Sequence, residues 1–276
     1  MALQEKIQNM AVFCDFENIA LGVRDAQYAQ FDVNKVLERL LLKGSIIVKK
    51  AYCDWDRYKA HKPLMHEASF ELIEIPHIRL SGKNSADIRM VVDALDLCYT
   101  KLHVDAFVII SGDSDFSPLV SKLRENNKTV IGVGVKNSTS DLLIANCDEF
   151  IFYDDLVRES EAKKPKKKKA AAKSTAGATA KNTQKENTEE DKKHKALDLV
   201  VETVEALFAE RGEDDKLWGS MVKQALKRRK PGFNESYYGF RSFSRLLEEA
   251  RQRRMLELEL DEKSGSYIIK SVIHEE

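Results

Sequence analysis

Two apolar segments of this chain run into turns that carry carboxylates. Met10-Ala11-Val12-Phe13-Cys14 ends at Asp15-Phe16-Glu17-Asn18, and Ile109-Ile110 ends at Ser111-Gly112-Asp113-Ser114-Asp115-Phe116. Acidic side chains at strand ends are suited to hard divalent cations such as Mg2+ or Mn2+, which take oxygen ligands. Asp15, Asp113 and Asp115 are the first candidates for such a site. Asp87 is a fourth, in the first turn of a helix that Asn84 or Ser85 caps. Gathering them is costly without a cation: two unit charges about 4 Å apart repel by roughly 4 kcal/mol at an effective dielectric near 20. A cation there would permit phosphodiester hydrolysis. The plainer alternative is that Asp113 and Asp115 shape a turn and complement a helix N-terminus. Asp15 and Asn18 have the same alternative, an ordinary strand exit.

The elements that must position these acids alternate in type. Apolar strand-like runs fall near Met10–Asp15, Ile46–Tyr52, Leu72–Ile75, Ala106–Ser111, Thr129–Val135 and Phe150–Tyr153. Helical patterns fall near Val33–Lys43, Lys59–Phe70, Asp87–Leu102, Pro118–Asn126 and Asp141–Ala145. Such alternation is the signature of an α/β fold with a parallel sheet flanked by helices. Ser117 suits an N-cap and Pro118 the first helical position, where its missing N–H is harmless.

Lys163-Lys164-Pro165-Lys166-Lys167-Lys168-Lys169 then opens a tract without hydrophobic periodicity, so residues 158–194 read as a disordered basic linker. Charge follows the same division. Residues 1–160 hold 19 Lys and Arg against 24 Asp and Glu, and residues 161–195 hold 12 against 5. The linker is thus either a solvated spacer or a sequence-independent tether for a polyanion.

A third pattern occupies residues 195–273. Three helical stretches are followed by Leu256–Leu260 and Ser266–Ile269 around a polar, Gly-containing loop, which predicts a small winged helix. Lys227, Arg228, Arg229 and Lys230 form a basic cluster near Phe233, Tyr237, Tyr238, Phe240 and Phe243. Basic groups engage phosphates and aromatics stack on unpaired bases. A solvated turn over a partly aromatic core is the alternative.

Bulk properties narrow the class further. The four cysteines, Cys14, Cys53, Cys98 and Cys147, are scattered without a CxxC pair, which argues against a zinc site or disulfide framework. No apolar run approaches the roughly 18–20 residues that span a bilayer. No membrane association is expected, and a cytoplasmic location is the default. No feature of the sequence specifies an oligomeric state.

Three blocks occur in order: Asp15-Phe16-Glu17-Asn18, Lys83-Asn84-Ser85-Ala86-Asp87 leading to Val91-Val92-Asp93-Ala94-Leu95, and Ser111-Gly112-Asp113-Ser114-Asp115-Phe116. Together they resemble the NYN domain of the PIN-like nuclease superfamily, over about residues 8–157. The resemblance implies a metal-dependent ribonuclease using Mg2+ or Mn2+, with Asp15, Asp87, Asp113 and Asp115 as the acidic ligands. It implies supporting polar roles for Asn18, Ser111 and Ser114, and Asp93 matches a recurrent family position. Residues 195–273 resemble a LOTUS, or OST-HTH, winged-helix domain on Leu217-Trp218-Gly219-Ser220 and the basic-aromatic run from Lys223 to Phe243. That second resemblance implies RNA or a protein partner as the ligand. The competing expectation is an RNA-binding or regulatory adaptor that performs no cleavage. A DxD phosphatase fits less well, because Asp15 is followed two residues later by Glu17.

Overall fold

A computed structural model describes residues 9–75, 85–163, 180–211, 216–261 and 265–273. The chain divides into two compact units, Met1–Lys163 and Lys164–Glu276.

In the first unit the elements are β1 (Asn9–Asp15), α1 (Phe16–Asp25), α2 (Val33–Leu41), β2 (Ser45–Cys53), α3 (Lys62–Glu67) and β3 (Glu71–Glu74). They continue as α4 (Ser85–Thr100), β4 (Ala106–Ile110), α5 (Ser117–Glu125), β5 (Thr129–Gly134), α6 (Asp141–Asn146), β6 (Glu149–Phe152) and α7 (Tyr153–Lys163). The six strands form one all-parallel sheet in the order β3-β2-β1-β4-β5-β6. Both faces are covered, so the central strands are apolar almost throughout: β1 is buried from Met10 onward and β4 along its whole length. Side-chain alternation splits the core in two. Met10, Val12 and Cys14 pack with α1 and α2 residues such as Ile19, Val36 and Leu40. Ala11 and Phe13 pack with Phe107, Ile109, Met90 and Leu123 on the other face.

Two helices were absent from the sequence reading. Helix α1 follows β1 directly, with Asp15 as its N-cap, and its stripe Phe16, Ile19, Val23 is buried. Helix α7 extends past residue 157, so the start of the expected linker is helical. Leu156 is buried on the core and Val157 packs beside it, which anchors this first turn. Residues 164–179, the centre of that linker, lie outside the described residues, and the helix that follows already begins at Ala180.

The second unit contains α8 (Ala180–Arg211), β7 (Leu217–Trp218), α9 (Gly219–Arg229), α10 (Phe243–Gln252), β8 (Leu256–Asp261) and β9 (Ser266–Val272). Three helices enclose a core of Leu197, Val200, Val204, Val222, Leu226, Leu246 and Leu247. The antiparallel β8–β9 hairpin is the expected wing. The apolar pattern Leu217–Leu226 reads as one helix from sequence, but Leu217–Trp218 instead pairs antiparallel with Ile268–Ile269 and adds a third strand. No described helix is long and apolar enough to cross a membrane.

Candidate functional site

The sheet order reverses direction between β1 and β4, which are neighbours although α1, α2, β2, α3, β3 and α4 separate them in the chain. The crevice at such a reversal, beyond the C-terminal strand ends, is where open parallel sheets bind ligands. Asp15 is the last residue of β1 and Ser111 the first after β4. Two residues beyond Phe13 and Ile109, the pleat brings both side chains out on the same face. There the Ser111 hydroxyl donates to Asp15 Oδ2 at 3.1 Å.

Backbone amides complete this junction. The Asn18 N–H donates to Asp15 Oδ1 at 3.2 Å, and the Gly112 N–H donates to Asn18 Oδ1 at 2.8 Å. The Asp113 N–H reaches Ser111 Oγ at 3.2 Å, and the Asp115 N–H reaches Asp113 Oδ1 at 3.0 Å. Asp113 therefore caps a short 3-10 turn, Ser114–Phe116, that leads straight into α5. Sequence reasoning gave the cap to Ser117. In the structure Ser117 is already the first helical residue, and the capping falls to Asp113. The turn-shaping role of Asp15 and Asp113 is real and coexists with any chemistry they perform.

Asp87 reaches the same edge through α4. Met90, Ala94 and Cys98 form the buried face of that helix, and Asp87 lies one turn before Met90 on the same side. Asp15 is only 7% exposed. Its carboxyl is raised to about 7, first by burial and then by the charge of Asp87, with Asp113 adding less. Hydrogen bonds from Asn18 and Ser111 pull the other way. Asp87 is also raised, by burial first and then by Asp113, Asp115 and Glu17. None of the four aspartates is in an ion pair with a described Lys or Arg. Among the described residues no cation offsets their repulsion by direct pairing.

The donor chemistry, carboxylates and hydroxyls at one sheet edge, fits a hard cation. The spacing is open. Among the described residues no three His, Cys, Asp or Glu side chains stand close enough together to hold a metal ion.

Asp93 does not join the other four. It accepts from the Tyr52 hydroxyl at 2.8 Å and pairs with Arg89 at 3.1 Å and Lys50 at 3.6 Å. Six residues beyond Asp87, it points roughly 120° away around the helix, and cations on that flank neutralise it. Arg89 is spent on the same pair. Ser114 lies within the Asp113-capped turn, one residue from both acids.

Two contributors were not singled out from sequence. Glu17, paired with Arg57 at 3.1 Å, adds negative charge next to Asp87. Gly112 is the other: a Cβ there would sit 2.5 Å from the Ser138 carbonyl oxygen. Its own carbonyl accepts from the Ser140 N–H at 2.9 Å. The Ser-Gly-Asp order was the available signal, since glycine permits close backbone approach.

In the second unit the basic run is partly ion-paired. Arg229 pairs with Glu202 of α8 at 2.5 Å, pinning α9 to α8. Arg228 and Lys230 are exposed, and Lys227 is half-buried. Phe233, Phe240 and Phe243 are core residues. Tyr237 is half-buried, with Lys192 Nζ 5.2 Å from its ring centre.

Two expectations follow from the junction. Asp15 has a folded-state pKa above its unfolded value, so ionising it opposes folding. Without divalent cations its contribution to stability is present below about pH 4 and is lost as pH rises towards 7. Thermal melts in chelator between pH 4.5 and 7.5 should show a decline of a few kcal/mol that Asp15→Asn markedly reduces, the remainder coming from Asp87. Asn18→Ala strands the Gly112 N–H and should lower stability by about 1–3 kcal/mol in chemical denaturation.

The NYN domain family model matches residues 9–155, and the OST-HTH/LOTUS domain model matches residues 190–259. Meiosis regulator and mRNA stability factor 1 of Xenopus tropicalis is 26% identical over 163 residues, covering 59% of this chain and 10% of that protein. An uncharacterized protein of Methanocaldococcus jannaschii is 30% identical over 146 residues, covering 49% of this chain and 54% of its own. The chain thus spans about a tenth of the frog protein and about half of the archaeal one. A solved structure of a Vibrio parahaemolyticus protein of unknown function is 27% identical, with a TM-score of 0.49, over 55% of this chain and 96% of that one.

Proposed function

Because the chain belongs to the NYN domain family, a PIN-like nuclease family, we propose that it is a divalent-cation-dependent endoribonuclease. In this reading Asp15, Asp87, Asp113 and Asp115 form the catalytic cluster, and the LOTUS/OST-HTH unit holds RNA. The observation that carries it is the acidic edge at the sheet's reversal point, paired with no described Lys or Arg, where burial and repulsion raise both Asp15 and Asp87. An inert scaffold gains nothing from that repulsion.

A cation bound there, Mg2+ or Mn2+, would supply charge stabilisation at the scissile phosphate. The chain's own residues do the rest. Asp113, fixed by the Asp115 and Ser111 bonds, presents one carboxylate beside Asp15. Asp15, both of whose oxygens accept hydrogen bonds, is held in one orientation, and a cation would restore the ionised carboxylate that burial and Asp87 oppose. Asn18 and Ser111 position Asp15 and the Gly112 turn. Exposed Arg228 and Lys230, with Lys227 beside them, offer phosphate contacts in the second unit, which raises the local RNA concentration at the acids.

The frog relative is named for mRNA stability, which supports RNA as substrate. It also suits a regulator that binds RNA without cutting it. Calorimetric titration of Mn2+ into the full chain separates the two. Saturable binding that Asp113→Asn weakens at least tenfold supports the nuclease, and no binding at millimolar Mn2+ favours the regulator.

A further inference from the structure

Beside the acids, on the β5 side of the crevice, lies an open cleft of about 640 Å3 formed by Ser114, Asp115, Ser117, Pro118, Ser121 and Leu142. Its size is within the range of clefts that take small organic ligands. Its floor is unusual. Ser117 is 6% exposed, yet its Oγ is buried with no hydrogen-bond partner. A serine in the first turn of a helix ordinarily bonds a nearby backbone group. Here no described group pairs with the hydroxyl, although Ser117 lines the cleft.

The lining says what that is. Asp115 and the hydroxyls of Ser114, Ser117 and Ser121 are acceptors or switchable donors, and no Lys or Arg stands among the described residues of the lining. With no Lys or Arg among the described lining residues, the phosphate belongs at the cation-holding acids, and the occupant of the cleft is the uncharged part of a nucleotide. Pro118 is exposed and Leu142 is 57% exposed, giving an apolar wall for a sugar or base face. A ribose hydroxyl both donates and accepts, which matches the serines. That same hydroxyl is what distinguishes RNA from DNA.

We propose that this cleft is a nucleoside subsite in which Ser114, Ser117 and Ser121 read a ribose 2′-hydroxyl next to the carboxylate cluster, making the N-terminal unit selective for RNA. The inference rests on the nuclease reading for the placement of the strand, but not on cleavage itself. The cleft and the acids share one turn: Asp113 caps the segment that carries Ser114 and Asp115 and feeds into Ser117. A nucleoside seated there holds its neighbouring phosphate towards the acids.

The test is peptide-resolved photocrosslinking of the full chain with a 4-thiouridine-substituted RNA decamer, competed by unlabelled RNA or by DNA of the same sequence. The expected result is crosslinking within residues 114–121 or at Leu142, displaced by RNA roughly fivefold better than by DNA, as one lost hydrogen bond implies. Ser117→Ala with Ser121→Ala should erase that preference on these peptides. Ser114→Ala with Ser121→Ala, which touches no fully buried group, should reduce it. Absence of crosslinks from these residues overturns the proposal, as does an RNA preference that both double variants retain. Crosslinking as expected with no RNA cleavage would uphold the subsite and overturn the nuclease reading alone.

Discussion

Asp15→Asn is expected to lower RNA hydrolysis at least about a hundredfold while raising thermal stability at pH 7.5 in chelator. The two effects share a cause. Asp15 sits 7% exposed between β1 and β4, and its ionised form is opposed first by burial and then by Asp87 and Asp113. Removing the charge relieves that opposition by a few kcal/mol at most, since both local hydrogen bonds have counterparts in an amide. Asn remains a good N-cap for α1, so the Asn18 N–H keeps its acceptor. What is lost is the carboxylate itself. A residue kept for folding would behave in the opposite way, losing stability on substitution and leaving the reaction untouched. Sites that trade stability for activity show this inverse pattern.

Gly112→Ala should be the most damaging single methyl in the N-terminal unit for both fold and activity. The added Cβ would meet the Ser138 carbonyl oxygen at 2.5 Å and the Ser138 C and Thr139 Cα at 3.1 Å. All three are backbone atoms, so no side-chain rotation relieves the contact. Gly112 cannot retreat, because its N–H is held by Asn18 and its carbonyl by the Ser140 N–H. Overpacking of this kind costs about 3 kcal/mol, which lowers the melting temperature by roughly 10 °C for a unit of this size. Any relaxation moves Ser111 and Asp113, which flank the glycine, and RNA hydrolysis should fall more than tenfold. Differential scanning calorimetry and a cleavage assay on the same preparation check both numbers. A stable, fully active Gly112→Ala would show that the segment through Ser138 and Thr139 is not fixed against the β4 turn.

The parallel sheet was legible because buried central strands leave continuous apolar runs, as β1 and β4 do. The acidic edge was legible for a related reason: a carboxylate at the end of such a run has no core role to fill. Helix α1 was hidden because its capping aspartate is also the last residue of β1, so no polar loop separates the two. The α5 cap was misassigned because Ser117-Pro118 is itself a good helix start. Only the 3-10 turn capped by Asp113 shows that the helical segment begins earlier. Strand β7 could not be read at all, since two residues carry no period and form a strand only by pairing with β9.

Asp93 teaches the same lesson from the other side. Its block matches the family pattern, yet Tyr52, Lys50 and Arg89 surround it, and those contacts come from β2 and from its own helix. Sequence order gives the helical phase. It does not give the charges that another strand brings to meet it. The same holds for Arg229, whose partner Glu202 lies on α8.

The most direct test is cleavage of a 5′-labelled single-stranded RNA by the full chain in Mn2+, with Asp113→Asn alongside and both preparations shown to be equally folded. The expected result is cation-dependent cutting by the natural sequence and at least a hundredfold less by the variant. Equal cleavage by the two, or cleavage that persists in chelator, would contradict the assignment of the acidic edge as the catalytic site.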